Sequence, residues 1–303
     1  MNYGVIDLGS NTVRLSVYGY DHDHHQIKKI FTKKEVVGLA TYVTSGELSP
    51  EGIEQAIVVL KDFQELSHLV NVSHLYVFAT ASLRNIHNGR AVAKLIEEKT
   101  GVFIDILSGD DEATLGFKGI SQIMKLDQAL MIDIGGASTE LVWVKDGKPV
   151  HFTSVPVGCL NLYLKHVSNL MPTGDEIRDM KSVIKKHIEK LDWAVPPDIQ
   201  MIGVGGTCRA SVKLSNRLFE LAKDREFIEY KHLREIGMRL KGCDSEKTGV
   251  YHTIYKIVPE RIFTISSGMT ILRCVMKKFD CNRVTISQYG VREGYFIDRV
   301  IAK

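Results

Sequence analysis

The chain has 303 residues, 44% of them apolar and 25% charged, which is the balance of a soluble globular protein and a length that suits two domains of ordinary size. A net charge of +3 is too small to point to nucleic acid, and no stretch approaches the ~20 apolar residues of a membrane span. The opening MNYGVIDLGS lacks the basic start and apolar run of a signal peptide, and Cys159, Cys208, Cys243, Cys274 and Cys281 form no CxxC pair and no metal spacing, so a reducing cytoplasm is the expected location.

Along the chain, DLGSNTVRL (7–15) joins the apolar runs 3–6 and 13–17 and reads as strand, tight turn, strand. DHDHH (21–25) falls where a hairpin between Tyr18 and Ile27 must turn, and is expected to be a solvated turn rather than a metal site. The lysine pairs at 28–29, 33–34, 185–186 and 277–278 are expected to be solvated surface, with a secondary capacity to attract a polyanion. Residues 50–66 start with Pro50 and keep apolar groups at helical spacing, residues 74–80 read as a buried strand, and residues 89–99 as a helix. A strand at 102–107 is followed by a helix at 108–124 with a Ser/Asp-rich start. In the second half, MIDIGGASTELV (131–142) is a second strand, turn and strand, and residues 173–191 form a long helix. Residues 201–207 read as a strand running into a glycine turn, preceded by the rigid Pro196-Pro197, and residues 283–290 end similarly. Alternating strands and helices predict an α/β fold with mixed sheets flanked by helices, divided into domains 1–124 and 125–303.

The first and second hairpins are similar to each other. DLGSNTVRL (7–15) and DIGGASTEL (133–141) share Asp, Gly and the final Leu, with Leu/Ile and Thr/Ser exchanges. A Gly-rich turn can aim several backbone N–H groups at one oxyanion. Gly9, Ser10, Asn11 and Thr12 in the first turn, and Gly135, Gly136, Ala137, Ser138 and Thr139 in the second, are therefore candidate phosphate-binding residues. Asp7 and Asp133 head the turns and can each hold a hydrated Mg²⁺ that bridges to phosphate oxygens. One such turn alone is as well explained by a turn-stabilising Asp, but ordinary turns have no reason to resemble each other. Asp110 and Asp111 are expected to offset the dipole at a helix start. Arg14, Arg84 and Arg292 follow strand ends, where a guanidinium fork could match phosphate oxygens. GVGGT (203–207), a single glycine turn, is weak evidence for a ligand.

VIDLGSNTVRL (5–15), ATASLRN (79–85), ILSGDDEATLGFKG (106–119), MIDIGGASTELV (131–142), GVGGT (203–207) and YGVREG (289–294) together resemble the exopolyphosphatase / guanosine pentaphosphate phosphatase (Ppx/GppA) family of the actin-like, sugar-kinase and heat-shock ATPase superfamily. The resemblance implies two actin-like (ribonuclease H-like) lobes with a cleft between them. It also implies release of terminal phosphate from polyphosphate or conversion of pppGpp to ppGpp, with Mg²⁺ or Mn²⁺. It marks Glu112 as the general base, a role for which an ordinary glutamate is already ionised at neutral pH. Asp133 corresponds to the catalytic or metal-associated aspartate, the two turns to phosphate loops, and Arg84 and Arg292 to arginines of the cleft. A homodimer is compatible with it. Three departures stand out: Ala137 replaces a usual glycine, Thr114 stands where many members have arginine, and the chain stops at Lys303 without the added helical domains of longer relatives, from which short substrates are expected. Two other readings stay open, a small-molecule kinase of the same superfamily and a binding protein that holds pppGpp or polyphosphate without turnover.

Overall fold

The computed structural model describes all residues except 25, 198, 241–243 and 303. Cys243 and the last histidine of the DHDHH turn therefore lie outside the described residues. Contacts divide the chain into two compact units, Met1–Glu112 with Tyr295–Lys303, and Ala113–Gly294.

The first unit contains β1 (Asn2–Leu8), β2 (Thr12–Asp21), β3 (Gln26–Val36), β4 (Val43–Thr44), β5 (Glu47–Leu48), α1 (Pro50–Leu69), β6 (His74–Ala79), α2 (Ala81–Arg84), α3 (Gly89–Thr100), β7 (Ile104–Ile106) and the start of α4 (Gly109–Ser121). Its main sheet has the order β3-β2-β1-β6-β7, with β1–β2 and β2–β3 antiparallel and β1–β6 and β6–β7 parallel. Ser49 caps α1 by accepting from the Gly52 N–H at 3.3 Å, and Pro50 occupies the first turn, where its missing N–H is harmless. Ile6, Leu8, Val13, Leu15 and Val17 project from one face of the sheet into a core with Ala56, Leu60, Phe63, Val92 and Ile96 of α1 and α3.

The second unit contains β8 (Ala129–Ile134), β9 (Thr139–Lys145), β10 (Lys148–Val155), α5 (Cys159–His166), α6 (Gly174–Ile188), β11 (Gln200–Val204), α7 (Gly205–Leu218), β12 (Phe227–Glu229), α8 (Tyr230–Arg239), α9 (Asp244–Ile257), α10 (Ile265–Lys278), β13 (Arg283–Ile286) and α11 (Val291–Tyr295). Its sheet runs β10-β9-β8-β11-β13-β12. The first five strands repeat the order and directions of the first sheet, and β12 adds an antiparallel edge. Strand alternation sends Leu130, Ile132 and Ile134 into the core built on α6 and α10, and Ala129 and Met131 to the other face, against Ala113 and Ile120 of α4.

The units depart from the expected division after residue 124. From Ala113 onwards, the apolar side of α4 packs on the second sheet. After Gly294 the chain returns to the first sheet, where Phe296 stacks on Tyr18 at 4.7 Å and Tyr295 on Phe78 at 4.9 Å. Tyr3, Val5 and Asp7 alternate with the core residues of β1, so this returning segment covers the face of the first sheet that carries Asp7. In the second unit, α4 covers the corresponding face, which carries Asp133. Among the described residues no helix is long and apolar enough to cross a membrane, and Cys159, Cys208, Cys274 and Cys281 are in no disulfide.

Candidate functional site

The two turns close in the same way. Gly9 N–H donates to the Thr12 carbonyl at 3.2 Å, and Gly135 N–H to the Ser138 carbonyl at 2.9 Å. A β-carbon on Gly9 would lie 2.9 Å from the Thr12 oxygen, too close without a shift of the backbone, and one on Gly135 would lie a tight 3.1 Å from the Ser138 oxygen. Asp7 faces Arg14 across the first hairpin and Asp133 faces Glu140 across the second, in identical register. Because the first N–H of each turn closes the turn, any N–H offered to a ligand comes from the residues that follow.

In the first unit, the turn is held from behind. The Ser82 hydroxyl donates to the Leu8 carbonyl, and the Gly38 and Ala40 N–H groups donate to the carbonyls of Asn11 and Ser10, both at 2.9 Å. Two residues after Ser82, Arg84 donates through Nη1 to Oε2 of Glu112 at 2.8 Å and to the Leu107 carbonyl at 3.1 Å. Glu112 is in the first turn of α4 and only 8% exposed. Its neighbour Asp111 instead accepts from Ser108 Oγ at 2.7 Å and from Arg299 at 3.0 Å, as an acid at a helix start is expected to do.

In the second unit, the turn sits on the N-terminus of α5. Cys159 N–H reaches the Gly135 carbonyl at 2.9 Å, Leu160 N–H reaches that of Gly136 at 2.9 Å, and a β-carbon on Gly158 would overlap Gly136. Two of the expected phosphate ligands are committed elsewhere. The buried Thr139 hydroxyl donates to the Val157 carbonyl at 2.6 Å, and Ser138 Oγ donates to Glu140 Oε1 at 2.7 Å, with Ser154 donating to the same oxygen at 2.7 Å.

GVGGT contributes more than a turn. β11 ends at Val204, beside Asp133 in the parallel register, and α7 begins at Gly205 with no side-chain cap. An uncapped helix start beside a turn of this kind is a natural place for an anion. Gly205 has φ +81°, and a β-carbon there would overlap Oδ1 of Asp133. The Arg261 guanidinium occupies the space that a Gly206 side chain would need, and its Nη1 is 3.5 Å from Thr207 Oγ1. Burial and then the charge of Arg292 pull the Arg209 pKa downwards; Arg261 acts in the same direction and Asp133 against it. Arg292 Nη1 is itself buried and has no hydrogen-bond partner among the described residues. The Cys208 thiol is pushed up to about 12, first by burial and then by Asp133, so it is an inert neighbour. The sequence does not single out Arg209 or Arg261 as site residues, and the only hint of the first is its place two residues beyond GVGGT.

A metal ion at Asp7 or Asp133 has hard oxygen donors to hand. Among the described residues no group of three or more His, Cys, Asp or Glu is placed to hold one. Carboxylate oxygens such as these suit Mg²⁺, which keeps several waters and uses one or two carboxylates plus phosphate oxygens.

Two units of one strand order, each headed by an Asp-x-Gly turn on its central hairpin, define an actin-like α/β protein. The chain belongs to the Ppx/GppA phosphatase family, a family of phosphoanhydride hydrolases, whose model matches residues 19–302. It is 25% identical to the bifunctional 3-dehydroquinate synthase/phosphatase of Fusobacterium nucleatum over 97% of this chain, and spans about half of that protein (46%). It is 24% identical to exopolyphosphatase 1 of Mycobacterium tuberculosis over 99% of this chain and 88% of that enzyme. The crystal structure of an exopolyphosphatase from Cytophaga hutchinsonii superposes with a TM-score of 0.83 at 21% identity, covering 98% of this chain and 97% of the other.

Proposed function

We propose that the chain releases orthophosphate from the end of inorganic polyphosphate, converts pppGpp to ppGpp, or does both. The observation that carries this reading is the group of Arg209, Arg261 and Arg292 near Asp133, with the buried Arg292 Nη1 lacking a partner. Guanidiniums gathered in a largely buried place are costly unless an anion of high charge joins them. A terminal phosphoryl group, with its equatorial oxygens, fits that demand.

Glu112 accepts the proton of the attacking water at its carboxylate while the water oxygen bonds to the terminal phosphorus. The bridging P–O bond breaks and the shortened chain leaves with its electrons. Arg84 fixes the orientation of that carboxylate through Oε2. A divalent ion on Asp7 or Asp133 would neutralise charge on the phosphoryl oxygens when bound. Relatives named exopolyphosphatase support the polyphosphate half of the reading.

Phosphate release should be measured side by side with tripolyphosphate, long-chain polyphosphate and pppGpp, with Mg²⁺ and no acceptor. Release from at least one is expected. Saturable binding without release would favour the binding-protein reading, and release only after an acceptor is added would favour the kinase.

A further inference from the structure

The second unit also holds an open recess of about 310 Å³ between α6, α8 and α10, and none of the turn residues lines it. Its size is that of a pocket for a small organic molecule. Ser266, Met269, Thr270 and Arg273 follow one another along α10 at helical spacing, so all four stand on one face of that helix. Ile177 of α6 and Leu233 of α8, with Leu240 and Met269, supply an apolar wall.

Two polar groups of the recess lack a partner among the described residues. Ser266 is 3% exposed, yet its hydroxyl makes no hydrogen bond there, while the Thr270 hydroxyl is turned to the Ser266 carbonyl at 2.8 Å. Arg273 is half-buried and enters neither a hydrogen bond nor an ion pair. Gly237 accounts for its position. Glycine weakens the middle of a helix, and Gly237 stands in α8 without the positive φ that would call for one. A β-carbon there would lie 2.9 Å from Nη1 of Arg273, so the glycine leaves the space that the guanidinium occupies.

The charge around the recess has one sign. Among the described residues that line it, none carries a carboxylate. Burial pushes the neighbouring Cys274 thiol up, while Arg273 and then Lys181, Lys185 and Lys277 pull it down, so four cations of α6 and α10 act on that one point.

We propose that this recess binds a small carboxylic acid with an apolar body and a hydrogen-bonding group at its far end. The guanidinium fork of Arg273 takes the carboxylate, the apolar wall covers the body, and Ser266 meets the far group. Ser266 and Arg273 are separated by about 10 Å of helix, and a helical side chain leans back toward the N-terminus, so a ligand with a single ring spans the distance. An inorganic anion would leave the apolar wall unused. The site stands whether or not the two turns bind phosphate.

The test is calorimetric titration with para-hydroxyphenylpropanoate, phenylpropanoate and tyramine, alongside NMR of the Met269 methyl group. The first acid should bind with a Kd of about 0.1–1 mM and shift that methyl. Phenylpropanoate should bind about 3–10-fold more weakly, and tyramine, of similar shape but opposite charge, not at all. Arg273→Met should weaken the first acid at least about tenfold, and Ser266→Ala should erase its advantage over phenylpropanoate. Gly237→Ala favours the helix and should melt no lower than the wild type, yet it should bind the acid less well by displacing the guanidinium. That variant decides the matter even if Arg273→Met fails to fold. Lys186→Met removes an exposed charge of α6 outside the recess and should change nothing. No saturable binding of either acid, binding that leaves the Met269 methyl unshifted, tyramine bound as well as the acids, or unchanged affinity in Arg273→Met or Gly237→Ala would overturn the site.

Discussion

Arg84 holds Oε2 of Glu112 at 2.8 Å with the same nitrogen that reaches the Leu107 carbonyl at 3.1 Å, so one guanidinium ties the head of α4 to the segment before it. Glu112→Gln keeps the shape and the acceptor for Arg84 but cannot take a proton from water. Phosphate release should fall about 10²–10⁴-fold, the usual range for losing a general base, with the melting temperature nearly unchanged. Near wild-type turnover would remove Glu112 from the role.

The same pair makes a stability prediction. The two side chains are only 18% and 11% exposed, so Arg84→Ala takes a cation away from a largely buried carboxylate and should cost about 2–3 kcal/mol. Adding Glu112→Gln should recover much of that loss. Denaturant unfolding of both single mutants and the double mutant measures the coupling; strictly additive losses would mean that the ion pair contributes nothing to the fold.

Gly205→Ala combines an unfavourable φ with overlap at Asp133, whereas Gly101, at φ +72°, has nothing within 4 Å of a β-carbon. Both substitutions should cost about 1–2 kcal/mol in backbone strain. Only Gly205→Ala should also lower phosphate release, by at least about tenfold, since it displaces a carboxylate at the site. Equal activities of the two variants would separate Asp133 from the chemistry.

Arg292→Met relieves a crowd of like charges and removes a buried N–H that lacks a partner among the described residues. The variant should therefore melt about 2–4 °C higher than the wild type without ligand, while releasing phosphate more slowly. Tripolyphosphate should raise the wild-type melting temperature more than that of the variant. A variant that melts lower and gains as much from tripolyphosphate would show that Arg292 is structural.

Away from the site, His232 stacks on Phe219 at 4.5 Å with Nδ1 3.3 Å from Ser215 Oγ. Burial, the main cause, holds its pKa below the ordinary 6.5; Arg225 and Lys231 push the same way and Glu229 and Glu235 oppose them. The unfolded chain then takes up the proton more readily than the folded one. The stability linked to the neutral ring is present above about pH 6.5 and is lost as the pH falls through the lower folded value. Thermal melts from pH 7.5 to 5 should show a larger decline for the wild type than for His232→Gln. Parallel declines would assign the acid sensitivity to other groups.

Much of this is legible in the sequence because the two hairpins obey one steric rule. Gly9 and Gly135 each face a carbonyl three residues ahead, so the same residue pattern has to recur, and the strands around them follow from alternation. The head of α7 reads as a loop in sequence because a glycine pair usually breaks a helix. Here Gly205 takes a positive φ just before the helical turns, and Gly206 leaves room for Arg261. No local pattern distinguishes a buried Arg209 or Arg261 from a solvated arginine, since their partners are distant in sequence. Thr139 has the right chemistry for a phosphate ligand, but its outward or inward aim depends on Val157, eighteen residues away. The expected 124/125 boundary differs from the contact division because the latter joins the segment after Gly294 to the first unit.

That interrupted layout bears on how the protein is made. The aromatic face of the first sheet, with Tyr3, Tyr18 and Phe78, is covered by Tyr295 and Phe296, and Phe296 is fully buried. During synthesis these residues leave the ribosome only after the whole of residues 113–294, so the unit begun first is the one completed last. Until then this open aromatic face is an aggregation-prone surface of the nascent chain. A fragment ending at residue 112 should remain in that incomplete state, and a peptide of residues 291–302 added in trans is the natural reagent to close it.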